Sequence, residues 1–207
     1  MIFTFHNTIE LLGIIAFGLS GALSAMQKRL DVFGVLVITF VTAIGGGTLR
    51  DLLIGSLPVA WILDLRAIII LLGTYLVALV FSSYIRLYSR VLFWLDTAGL
   101  ALFCVVAIDK GIAFQLHPMV CVALGTITGC FGGIIRDVIL NEIPYVFRKD
   151  VYASACIAGG IVYFILLAYI NDTNLVSILS GCVIAVIRIG AKYLGWQMPD
   201  VYSRKGL

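Results

Sequence analysis

The chain has 207 residues, of which 62% are hydrophobic and only 12% charged, and its mean hydropathy is +1.12. A water-soluble globule of this length would lack the polar residues to cover its surface, so the composition excludes a soluble fold and defines an integral membrane protein. The formal charge of +3 gathers into no nucleic-acid-binding stripe and no acidic tail, which leaves membrane lipids, and not nucleic acid, as the expected surroundings.

Apolar runs of about 20 residues predict membrane helices, and seven such runs lie near 7–26, 32–54, 66–85, 91–109, 117–140, 151–170 and 175–194. The first has no basic region before it and no convincing cleavage site, so it reads as a span and not as a signal peptide. The expected fold is therefore all-α, with seven transmembrane helices. Lys28 and Arg29 follow the first span, Arg86 and Arg90 the third, Arg148 and Lys149 the fifth, and Lys192, Arg204 and Lys205 the seventh. The opposite side receives only Arg66 and Lys110. By the positive-inside rule, the N-terminus faces outward and the C-terminus is cytoplasmic.

Charges recur inside the apolar chain. "GGGTLRDLLIGSLP" at 45–58 is answered by "FGGIIRDVILNEIP" at 131–144, with Gly46, Gly47, Arg50, Asp51 and Pro58 matching Gly132, Gly133, Arg136, Asp137 and Pro144. The shift of 86 positions (132 − 46) also superposes Glu10 on Asp96, Gly13 on Gly99, Phe17 on Phe103 and Thr42 on Thr128. The chain thus divides into a three-span unit at 1–88, a second copy at 89–174 and an added helix with its tail at 175–207. A unit with an odd number of spans makes its copy enter the membrane from the other side, so the repeat is inverted. In such proteins permeation or binding sites form near the midplane, where helices are interrupted.

Glycine lowers helix propensity by about 1 kcal/mol, and Gly45, Gly46, Gly47, Gly132 and Gly133 are read as such interruptions in preference to the alternative, close helix packing, which does not explain the Arg-Asp after each. An Arg or Asp facing lipid near the bilayer centre costs at least about 2.5–3.5 kcal/mol. Arg50, Asp51, Arg136 and Asp137 are therefore expected to face the bundle interior or wet vestibules, one pair toward each membrane face. Hydroxyls on the same segments, Thr39, Thr42, Thr48, Thr126 and Thr128, are positioned to replace part of an ion's hydration shell. Alternatively, each bonds the carbonyl one turn back. Thr42 and Thr128, equivalent under the repeat, are favoured. Gly18, Gly21, Gly159 and Gly160 read as packing residues. Arg188, within the last span, either pairs with a carboxylate of another span or extends to the interface.

Other chemistry finds little support. The five cysteines have no metal or redox spacing, His6 and His117 are isolated interfacial residues, and "NDT" at Asn171 carries weight only in a secretory-pathway host. With no nucleophile–base pair, no structural metal site and no cofactor motif, an enzyme is not expected.

The doubled "GGGTLRD" and "GGIIRD", the downstream prolines and the two three-span copies resemble the bacterial TRIC (trimeric intracellular cation) channels over essentially the whole chain. The resemblance implies a homotrimer in a bacterial inner membrane, with one pore per subunit for K⁺ and, less selectively, Na⁺, and with spans two and five kinked at the glycines. The second copy departs from the first in placing Phe131 before its glycine pair, which breaks exact pore symmetry. Sequences of this kind are also grouped as transporters of small amino acids such as glycine, and inverted repeats suit alternating access as well as conduction.

Overall fold

The structure is a computed structural model, described here for residues 5–81 and 89–199. Met1, Arg86, Arg204, Lys205 and the end of the third predicted span lie outside the described residues. Among the described residues eight α-helices follow in order: α1 Phe5–Gln27, α2 Val32–Leu53, α3 Ala60–Leu63, α4 Leu65–Val80, α5 Ser89–Ala113, α6 Pro118–Ile139, α7 Ala153–Leu167 and α8 Thr173–Leu194. A 3₁₀ turn, Tyr145–Phe147, precedes α7. Among the described helices α1, α2, α5, α6 and α8 are long and apolar enough to cross a membrane, while α4 and α7 are shorter apolar helices.

Polar caps set several boundaries. Asp31 accepts the Gly34 N–H at 2.7 Å to start α2, and Asp172 accepts from Asn174 and Leu175 to start α8, each satisfying donors that the first turn leaves free. Pro118 opens α6, where its missing N–H costs nothing. Gly195, at φ 68°, closes α8 in the left-handed conformation that glycine adopts without strain. The sequence reading did not foresee α3 or the 3₁₀ turn, both too short to show as apolar runs.

Four helices form the centre: α1 packs on α2 and α5, and α6 packs on the same two. Outside them α4 leans on α1, α7 lies against α6 and α8, and α8 also packs on α5. The central contacts are reciprocal under the 86-residue shift. A Cβ at Gly13 would lie 2.9 Å from the Phe103 ring, and one at Gly99 2.4 Å from the Phe17 ring. A Cβ at Gly46 would lie 2.2 Å from the Thr128 carbonyl oxygen, and one at Gly132 2.4 Å from that of Thr42. In both pairs the partner's number falls as the residue's own number rises, so α1 runs antiparallel to α5 and α2 antiparallel to α6.

The glycines expected to interrupt the helices do not break them. α2 is continuous α-helix through Gly45, Gly46 and Gly47, and α6 is continuous through Gly132 and Gly133. In lipid every backbone group must find a partner, so the ladder stays intact. Gly46 and Gly132 remove side chains where the two helices touch backbone to backbone, while Gly45 faces the Ile135 side chain, Gly133 faces the Tyr152 hydroxyl, and Gly47 has no atom closer than 3.8 Å to its Cβ direction. Gly18, Gly21, Gly159 and Gly160 make room for side chains of neighbouring helices, with added Cβ atoms falling 3.1 Å or less from those of Thr74, Thr42, Ile184 and Val122 respectively.

Candidate functional site

The two Arg-Asp pairs build two charge clusters inside the bundle. In the first, Arg50 is 1% exposed. Its Nε donates to Asp51 Oδ1 and its Nη2 to Glu10 Oε1, both at 2.8 Å. Asp51 also accepts from Lys110 Nζ at 2.7 Å and, through Oδ2, from the Ala60 N–H at 2.8 Å. α1, α2, α3 and α5 thus meet at one carboxylate and one guanidinium.

The second cluster repeats this plan. Arg136, also 1% exposed, donates from Nε to Asp137 Oδ1 at 2.8 Å and from Nη1 to Asp96 Oδ1 at 2.9 Å and Ser20 Oγ at 2.7 Å. The other oxygen of Asp96 accepts from Arg188 Nη2 at 3.0 Å, and the Arg188 guanidinium lies 4.2 Å from the centre of the Tyr152 ring. Of the two readings of Arg188, the structure selects pairing with a carboxylate of another helix.

Each cluster brings together two cations and two carboxylates, Arg50 and Lys110 with Glu10 and Asp51, and Arg136 and Arg188 with Asp96 and Asp137. The balance follows from electrostatics, since an unpaired buried charge costs several kcal/mol or neutralises itself. The repeat supplies the core of each cluster. The second cation has no charged equivalent under the shift: Lys110, at the end of α5, answers Ser24, and Arg188 comes from the added helix α8.

The clusters sit toward opposite ends of the bundle. Glu10 and Ser20 are ten residues apart on α1, about 15 Å at 1.5 Å per residue. Around the second cluster a cavity of about 150 Å³ is lined by Ser24, Lys28, Arg136, Asp137, Glu142 and Arg148. Around the first, a cavity of about 20 Å³ is lined by Glu10, Gly47, Arg50, Asp51, Trp61 and Phe103. At the rim of the larger cavity Glu142 accepts from Lys28 and, at 3.3 Å, from Arg148 Nη2. The Lys28 hydrogen bond and charge hold the exposed Glu142 carboxyl below its ordinary value of 4.5. Between the clusters the bundle is closed, with Thr42 and Thr128 fully buried at the α2–α6 crossing.

Every threonine proposed from the sequence bonds the carbonyl four residues back: Thr39 to Val35, Thr42 to Ile38, Thr48 to Ile44, Thr126 to Val122 and Thr128 to Leu124, at 2.6–3.0 Å. Thr48 Oγ1 also accepts from Trp61 Nε1 at 3.1 Å. Their hydroxyl hydrogens are committed to the helix, while the lone pairs of the oxygens are not all used. Phe131 is half-buried, one residue before the α2–α6 contact.

A third polar cluster has no counterpart in the sequence reading. Asp109, on α5, accepts from Tyr163 Oη of α7 and from Ser177 Oγ of α8 at 2.9 Å, and lies 3.1 Å from His6 Nε2 of α1. His6 is thus not isolated. The five cysteines are free thiols, all buried but Cys182.

An all-helical membrane protein whose paired copies place charge clusters at both ends of a four-helix core is the class that fold and site define. The sequence model of a family described as glycine transporter matches the chain twice, over residues 7–82 and 93–168. A UPF0126 membrane protein of Vibrio cholerae is 40% identical over 92% of this chain and 79% of its own length. The UPF0126 membrane protein YvgT of Bacillus subtilis is 31% identical over 93% of this chain and 94% of its own. Among solved structures, one described under conductance through TRIC cation channels superposes with a TM-score of 0.86, at 30% identity over the whole of both chains. The TRIC orthologue from Rhodobacter sphaeroides gives 0.84, at 28% identity over 92% of this chain and 98% of that one. The chain belongs to this family of TRIC and UPF0126 membrane proteins.

Proposed function

We propose that the protein is a monovalent cation channel, permeable to K⁺, that works as a homotrimer with one pathway in each subunit. The observation that carries this reading is the pair of charge-balanced clusters at opposite ends of the α1, α2, α5 and α6 core. Each holds carboxylates at the margin of a cavity, where they attract cations while the arginines keep the site neutral overall. The likeness to cation-channel structures supports the same reading. On this proposal Asp51 and Asp137 line the two entrances, Arg50 and Arg136 fix them, and the Thr42 and Thr128 oxygens offer lone pairs to a passing ion. The units 1–88 and 89–174 are the two halves of the pathway. Arg188 ties the remaining helix to the second half.

The Lys28, Glu142 and Arg148 rim is assigned to the cytoplasm and the Lys110 end to the exterior, by the positive-inside rule. Lys110 Nζ stands 2.7 Å from Asp51, where a cation would approach that carboxylate, so the outer entrance is occupied by a tethered ammonium. The description of the matching family as glycine transporter favours a second reading, alternating-access transport of a small amino acid. Proteoliposomes separate the two. The channel reading requires K⁺ flux with no amino acid present. Saturable glycine uptake without independent K⁺ flux would replace it with the transporter.

A further inference from the structure

Phe17 and Phe103, equivalent under the 86-residue shift, stack on each other with ring centroids 5.4 Å apart and planes 12° from parallel. Both are almost fully buried, at 1% and 3% exposure. Their place along the helices is specific. On α1, Phe17 lies between Glu10 of the first cluster and Ser20 of the second. On α5, Phe103 lies between Asp96 of the second cluster and Lys110 of the first. The Phe103 ring lines the small cavity beside Glu10, Arg50 and Asp51. The Phe17 ring reaches the α2–α6 crossing, where a Cβ on Gly132 would stand 3.6 Å from it. Two apolar rings thus occupy the space through which the charge clusters would communicate.

We propose that the Phe17–Phe103 pair is the gate of the pathway, a dry aromatic barrier that must part before an ion can pass between the clusters. This rests on the channel reading above. A constriction walled by apolar rings expels water, and an ion cannot enter without its hydration or a substitute for it. The glycines opposite the rings fit the role. Gly13 and Gly99 give each ring a bare backbone to lie on, so on that side its position depends on the separation of α1 and α5. An α1–α5 displacement that separates the rings therefore opens both halves at once, because the contact is reciprocal.

The test is K⁺ flux through proteoliposomes holding wild-type protein or the variants F17Y, F103Y, F17L, F103L, F17A and F103A, each first shown to be monodisperse with a cooperative melt. Tyr keeps the ring but adds a hydroxyl that wets the barrier, and Ala removes the barrier. The expected result is a severalfold rise in flux for the Tyr and Ala variants, with the Leu variants, still apolar and bulky, close to wild type. If the Ala variants fail to fold, the Tyr variants decide. Wild-type flux through folded F17Y and F103Y would overturn the gate and make the pair a packing element, while K⁺ flux in the wild type leaves the channel standing. Saturable glycine uptake with no K⁺ flux in the wild type or any variant would instead overturn the channel reading, and the gate with it.

Discussion

Gly46 and Thr128 stand backbone to backbone across the α2–α6 crossing, so closely that a Cβ on the glycine would come within 2.2 Å of the threonine's carbonyl oxygen. Gly132 and Thr42 make the same contact in reverse. No rotamer change relieves such a clash, because the obstacle is backbone. Gly46→Ala and Gly132→Ala are each predicted to destabilise the protein by about 1–3 kcal/mol or more, as overpacking does. Gly47 has only atoms at 3.8 Å or beyond near its Cβ direction, so Gly47→Ala should stay within about 0.5 kcal/mol of wild type. Thermal unfolding of the three variants in detergent would check the order. Equal losses would return these glycines to a role in helix bending.

Lys110 sits on Asp51 as a built-in counterion. Lys110→Gln removes one of the two cations on Asp51, leaving Arg50 and the Ala60 N–H, and should raise K⁺ conductance, most at low salt, where screening is weakest. Recordings over a range of KCl concentrations would show it. Conductance unchanged at low salt would mean that Lys110 is a structural partner only.

Much of this plan was legible in the sequence, and the reason is the repeat. Apolar runs located the helices to within a few residues, since a membrane span has a fixed minimum length. The 86-residue shift paired Glu10 with Asp96 and Phe17 with Phe103 before any contact was known. That these carboxylates meet Arg50 and Arg136 was not legible, because a repeat says which residues are equivalent and not which helices touch. Charge conservation within an apolar bundle was the available signal, as each buried arginine required a second carboxylate. Arg188 was legible as a cation in need of a carboxylate but not which one, and Lys110, with no charged equivalent in the first copy, escaped the comparison. The contacts of Gly46 and Gly132 were not legible, because helix propensity says nothing of which backbones touch across helices.

Asp109 draws together His6, Tyr163 and Ser177 from three other helices, an assembly no local motif announces. Asp109→Ala should cost about 1–3 kcal/mol by leaving buried hydroxyls without their acceptor. Tyr163→Phe removes one donor and should cost less. Unfolding of the two variants compared with wild type would test this, and an unchanged midpoint for Asp109→Ala would contradict it.

Glu142 links stability to pH at the Lys28 rim. Its carboxyl is held below 4.5 by the Lys28 hydrogen bond and charge, so the unfolded state binds its proton first as pH falls. The contribution is therefore complete above the ordinary glutamate value and is lost as pH drops through the lower folded-state value. The group is exposed, so the effect is small. Melting temperatures should be level in this respect from pH 6 to 8 and fall in acid, with Glu142→Gln removing part of the fall. A Glu142→Gln profile parallel to wild type throughout would mean the contact contributes nothing.

The two clusters stand at opposite ends of one core, so the sharpest measurement is the shape of the current–voltage curve in symmetrical low-salt KCl for Asp51→Asn and Asp137→Asn. Each removes a cation-attracting carboxylate from one entrance and leaves its arginine, which lowers cation entry from that side alone. If both clusters border a single cation path, the two variants rectify in contrary directions, and the rectification fades as salt is raised. Rectification of the same sense in both, or currents indifferent to salt, would contradict a path that runs from Asp51 to Asp137.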